Sequence, residues 1–89
     1  MDLKQLTYFN AIAEEGSISA AARKLHISQP PLSTQMRLLE AELGCILFER
    51  GARHICLTEA GQLLYARART LLTLADSTKR ELQDYQEGT

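Results

Sequence analysis

Three observations in the 89-residue sequence predict a mainly α-helical fold carrying one small hairpin. Apolar residues recur at three- and four-residue spacing from Leu3 to Leu43, broken by glycine and by one short turn. Two short β-compatible runs, Ile46–Arg50 and His54–Leu57, flank Gly51-Ala52-Arg53. From Glu59 to about Gln86 there is no proline, and glycine only at Gly61. Helix, three-residue turn, helix, then hairpin, describes a winged helix-turn-helix: three helices plus a two-stranded wing, followed by a long linker and dimerisation helix.

The elements follow in chain order. Leu3, Leu6, Phe9 and Ala13, with Ile12 beside them, give residues 3–15 an apolar helical stripe, and Gly16 stops it. Ser17 is an N-cap for a second helix whose inner face is Ile18, Ala21, Ala22 and Leu25. The small residues of the Ala20–Ala22 run let two helices approach closely. His26-Ile27-Ser28 is a turn pinned by Ile27. Ser28 is placed to cap a third helix, in which Pro30 and Pro31 fit the first turn because N–H groups there lack helical partners. Leu32, Met36, Leu39 and Leu43 form its buried stripe, and Gly44 ends it. Thr58 caps the long final helix, with Glu59 in its first turn.

In that last helix Leu64, Leu71, Thr78 and Tyr85 fall seven apart, with Ala68, Ala75 and Leu82 four after the first three. These are a and d positions over about three heptads. A helix of this length spans about 42 Å, more than so small a core covers. The stripe therefore needs a partner, and a homodimer is the expectation, over a helix folded back on its own domain. The division is 1–58 for the winged domain and 59–89 for the dimerising helix.

Composition excludes several classes. The chain is 45% apolar and 24% charged, as in a folded globular protein and unlike a disordered tail. It holds no 18-residue apolar run and no signal-peptide core, so a cytoplasmic, non-membrane chain is expected. Cys45 and Cys56 are too few for a disulfide framework. With His26 and His54 they lack the close-spaced ligand pairs of a zinc site. The expectation is two small buried thiols, two surface histidines, and no metal or cofactor. No nucleophile elbow, phosphate loop, dinucleotide glycines or zinc-protease helix occurs, so no enzyme is expected.

The net charge of −1 conceals a pattern. Residues 1–16 carry −2, residues 17–57 carry +2, residues 58–89 carry −1, and no acid lies within 17–39. Local sign, not total charge, decides whether a surface meets phosphates. On a helical wheel the buried stripe of the third helix clusters within about 40° of Leu32, while Pro30, Ser33, Thr34 and Arg37 fall between about 100° and 200°. An ordinary solvated face is the plainer alternative, but such faces are usually full of Lys and Glu. Short hydroxyls, a proline and an arginine make this helix slim enough for a major groove, where they can bond base edges. Gln29 can reach an adenine edge or a phosphate. Ser28 and the first-turn amides offer a helix N-terminus to a phosphate. Arg53 suits a minor groove. Arg50, beside the same turn, is either a DNA contact or a solvated charge paired with Glu49. A protein-interaction module, in which the winged helix only supports the coiled-coil stripe, is the rival reading.

The same residues resemble the amino-terminal DNA-binding domain of LysR-type transcriptional regulators. The resemblance runs from Leu3-x-x-Leu6-x-x-Phe9 and Ala13-Glu14-Glu15-Gly16-Ser17 through Ala21-Ala22-Arg23-Lys24-Leu25-His26-Ile27-Ser28-Gln29-Pro30-Pro31-Leu32-Ser33. It continues in register at Leu43-Gly44, Leu47-Phe48-Glu49-Arg50 and Leu57-Thr58-Glu59-Ala60-Gly61. It implies double-stranded DNA as partner, an interrupted palindrome as target, and a long helix pairing two subunits. Two such dimers commonly form a tetramer in full-length members, where a small-molecule effector binds a further domain absent from these residues. It implies DNA-facing roles for Gln29, Pro30, Pro31, Ser33, Thr34, Arg37 and the wing residue Arg53. Many relatives carry arginine where this chain has Thr34, which implies a different base preference there.

Overall fold

The computed structural model describes residues 1–50 and 54–87. Their order is α1 (Leu3–Glu15), α2 (Ile18–Leu25), α3 (Gln29–Leu43), β1 (Phe48–Arg50), β2 (Ile55–Leu57) and α4 (Glu59–Glu87). β1 and β2 form one antiparallel pair, with Phe48 opposite Leu57, Glu49 opposite Cys56 and Arg50 opposite Ile55. Each strand is shorter than its sequence pattern. Ile46 lies outside the ladder and is exposed, whereas Leu47 is buried. The expected turn Gly51-Ala52-Arg53 lies outside the described residues. Among the described residues no helix is long and apolar enough to cross a membrane.

The helix ends follow local chemistry. Asp2 and Gln5 form a capping box on α1, with the Gln5 N–H donating to Asp2 Oδ1 at 2.7 Å and the Asp2 N–H donating to Gln5 Oε1 at 3.2 Å. Ser17 caps α2 by accepting the Ala20 N–H at 3.0 Å. Gly16 and Gly44 end α1 and α3 in the left-handed region, at φ 75° and 71°. His26 does the same for α2 at φ 58°, where a Cβ is disfavoured.

Ser28 departs from expectation. It precedes α3, but its hydroxyl makes no capping bond. A cap hydroxyl accepts from the second or third N–H of its helix, and here those positions are Pro30 and Pro31, which have none.

α1 is the central helix. Phe9 and Ile12 are fully buried, with Ala21, Leu32, Leu39 and Leu47 packed in the same core. Phe48 brings the wing onto this core, its ring centroid 5.1 Å from that of Phe9. The Ile55 N–H donates to the Gly16 carbonyl at 2.8 Å, tying β2 to the α1–α2 turn. Leu43, expected in the buried stripe of α3, is 38% exposed because the last turn runs past the core. The thiols are also corrected: Cys45 and Cys56 are both exposed. Cys45 follows Gly44 in the loop leaving α3, and Cys56 points outward between inward-leaning Ile55 and Leu57.

α4 packs along α1 and is anchored to the wing at its first turn. The Thr58 N–H donates to the Leu47 carbonyl at 3.0 Å, and the Thr58 hydroxyl donates to the Ile46 carbonyl at 2.7 Å. The same hydroxyl oxygen accepts the Gly61 N–H at 3.0 Å, which caps α4. A Cβ on Gly61 would lie 2.1 Å from the Leu47 carbonyl oxygen, so only glycine lets the helix sit there.

The expected dimer seam is divided by this packing. Ala68 is fully buried within the chain, and Leu64 packs partly on the core. Leu71, Thr78, Leu82 and Tyr85 are exposed and Ala75 is half-buried. Leu63 and Leu74, outside the a and d assignment, are 58% and 60% exposed. The free apolar stripe is thus rotated around the helix from the one the heptads define, because the inner edge of that seam covers α4's own domain.

Two stability outcomes follow. Gly61→Ala is expected to lower the unfolding free energy by about 1–3 kcal/mol in urea titration, despite alanine's higher helix propensity, because the obstruction is backbone. His26→Gly is expected to raise it by about 0.5–1 kcal/mol by relieving the left-handed cap.

Candidate nucleic-acid interface

The outward face of α3 carries the candidate site. Pro30, Pro31, Thr34 and Arg37 are exposed and Ser33 is half-buried, while Leu32, Met36 and Leu39 face the core. Gln35 leans to the flank and accepts from Gln5 Nε2 at 3.1 Å, a polar tie that sets α3 on α1. Ser28 and Gln29 are exposed at the N-terminal end.

Prolines shape the chemistry of that end. Of the N–H groups left without helical partners there, Pro30 and Pro31 remove two. The donors remaining are the Ser28 and Gln29 amides and the uncommitted Ser28 hydroxyl, a smaller set than a full helix N-terminus presents. Gln29 Nε2 donates to Ser19 Oγ at 2.6 Å, joining the first turns of α2 and α3. Ser19 escaped the sequence reading. Its signal was its position opposite the Ala21 stripe of α2, on the outward face with exposed Arg23.

Charge follows the segment pattern. Lys24 lies 3.7 Å from Glu15, an exposed pair that partly occupies it, while Arg23 and Arg37 stand on the outward surface. Glu40, one turn beyond Arg37, is turned away: its Oε2 accepts the Leu47 N–H at 2.8 Å. This acid beside the outward face of α3 is thereby spent on holding the loop to the wing. Arg50 closes β1 at the mouth of the hairpin connection. Arg53 lies outside the described residues.

A slim helix with a hydroxyl-rich outer face, braced by two others and flanked by a hairpin, defines a winged helix-turn-helix. The family model described as "Bacterial regulatory helix-turn-helix protein, lysR family" matches residues 3–62. The chain belongs to that family. It is 51% identical over 79 residues to the HTH-type transcriptional regulator ClcR of Pseudomonas putida, a match covering 89% of this chain and 27% of that protein. It thus spans about a quarter of the length of such relatives, whose names mark them as transcriptional regulators.

Two solved structures extend the likeness to three dimensions. The BenM DNA-binding domain, in complex with catB site 1 DNA, superposes with a TM-score of 0.97 at 43% identity, covering 100% of both chains. The CbnR DNA-binding domain, in a DNA complex, gives 0.93 at 45% identity, covering 97% of this chain and 99% of that one.

The two serine caps should behave differently. Ser17→Ala is expected to cost about 1 kcal/mol of folding stability, the usual loss for a bonded cap. Ser28→Ala should leave thermal and urea unfolding unchanged, because its hydroxyl makes no capping bond to α3.

Proposed function

We propose that the chain binds double-stranded DNA sequence-specifically as the reading domain of a bacterial LysR-type transcriptional regulator. One observation carries this: the exposed face of α3 holds Pro30, Ser33, Thr34 and Arg37, with no acid anywhere in residues 17–39. The DNA complexes of the similar BenM and CbnR domains support the reading.

In this mechanism the Ser28 hydroxyl and the Ser28 and Gln29 amides hold phosphates and set register. Ser33, Thr34 and Arg37 bond base edges in the major groove, and Pro30 and Pro31 allow close approach. Arg50 and Arg53 serve the wing side, Arg53 in the flanking minor groove. Residues 1–58 act as the DNA-binding unit, and the helix from 59 pairs two copies. The target is then an interrupted palindrome with half-sites one helical turn apart or a multiple of it. The role is regulatory rather than catalytic, and its setting is the cytoplasm. In the full-length protein a further domain takes the small-molecule effector, and dimers pair into tetramers.

Selection of random duplex DNA on this chain at near-physiological salt tests the reading. Enrichment of an interrupted palindrome is expected, with affinity falling as salt rises. Retention without enrichment leaves only phosphate affinity. Binding to protein partners that salt hardly changes favours an interaction module instead. On the enriched site, Ser33→Ala with Thr34→Ala is expected to cost about 1–3 kcal/mol, and little on random DNA. Equal losses on both would make these residues phosphate contacts.

A further inference from the structure

Gln29 opens α3 with its side chain exposed, and its Nε2 donates to Ser19 Oγ at 2.6 Å. Ser19 is the second residue of α2 and is half-buried. The carbonyl four residues before it belongs to Glu15, the last residue of α1. The usual back-bond of a helical serine hydroxyl therefore has no acceptor within α2. Its oxygen is open to a neighbour, and the first side chain of α3 is that neighbour. Pro30 comes next, and its ring fixes the following backbone torsion, so the Gln29 stem leaves a stiff helix start.

We propose that Ser19 is a positioning residue that sets the Gln29 carboxamide to read adenine in the major groove. This rests on the DNA-binding reading above and adds to it a named base and a residue of α2. A free carboxamide carries two N–H donors and one oxygen acceptor, and it can turn either end outward. Ser19 takes one N–H, leaving Gln29 with one N–H beside Oε1. Adenine presents the matching pair in the major groove, its N6 amino donor and its N7 acceptor.

The other bases fit this half-committed amide less well. Guanine presents two acceptors, cytosine one donor, and thymine one acceptor beside a methyl group, so each leaves part of the amide unmatched. A phosphate offers acceptors alone and would set Oε1 against negative oxygens. The bond to Ser19 also orders the three side-chain torsions of Gln29 before DNA arrives, so less ordering remains for the complex.

Nuclear magnetic resonance of the free chain tests the bond without DNA. Ser19→Ala is expected to move the Gln29 side-chain NH2 signals to the position of a solvent-exposed glutamine, and Ser19→Thr, which keeps the hydroxyl, should move them back. Signals that ignore Ser19 would overturn the proposal.

Duplex selection then reads the base. The position that loses its preference in Gln29→Ala is the one Gln29 meets, and adenine is expected there in the unaltered chain. Ser19→Ala should lower that preference about two- to tenfold, the effect of one neutral hydrogen bond, and leave the other positions as they were. Ser19→Thr should restore it, and in a Gln29→Ala background Ser19→Ala should change nothing further. Guanine at that position would mean that Ser19 donates to Oε1 and both N–H groups face the groove, which overturns the adenine assignment. An equal loss on every duplex, persisting without Gln29, would make Ser19 a phosphate contact and overturn its positioning role. A chain that enriches no sequence, although the Gln29 signals respond to Ser19, would overturn the DNA-reading function and adenine recognition with it, while the bond itself stands.

Discussion

The geometry of this domain depends on what happens around Leu47. Its side chain is buried, its N–H is held by the Glu40 carboxylate of α3, and its carbonyl accepts the Thr58 N–H at the start of α4. Gly61 then presses against that same carbonyl. One residue therefore joins the end of α3, the root of the wing and the first turn of the long helix. None of these bonds is strong alone, since a hydrogen bond to a charged group nets about 1.5–3 kcal/mol and a neutral one about half of that. Their convergence is what matters, because it removes the freedom of α4 to swing relative to α3.

That rigidity links the two ends of the molecule. In the proposed dimer, the separation of two reading helices is set by where α4 leaves its domain and how it pairs. A loose joint at Leu47 would let half-site spacing drift, and orientation is what distinguishes one spacing from another. Glu40 serves this joint by bonding the loop, and its carboxylate is thereby committed to the Leu47 N–H.

Pro30 and Pro31 do comparable double duty. Proline in a first turn preorganises the helix start, and its missing N–H groups leave the Ser28 hydroxyl without a backbone partner. A residue that normally stabilises its helix becomes available to an outside acceptor or donor. Stability is met elsewhere, through the Asp2–Gln5 box, the Ser17 and Thr58 caps and the Phe9–Phe48 contact.

Much of this was legible in the sequence because it is local. Helix periods, the glycines at 16 and 44, the caps at Ser17 and Thr58 and the hairpin runs each depend on a few neighbouring residues, as does the outward face of α3. The prolines after Ser28 also stated, in principle, that it could not cap. What the sequence left undecided depends on residues far apart. Heptad spacing marks apolar positions on α4 but does not say which edge its own domain consumes. Only the packing at Gly61 and Ala68 turned the free stripe toward Leu63 and Leu74. Exposure of the two thiols, the Ser19–Gln29 bond and the opening at Leu43 were likewise decided by the fold. Each follows from where one element ends against another, a distance that periodicity along the chain does not encode.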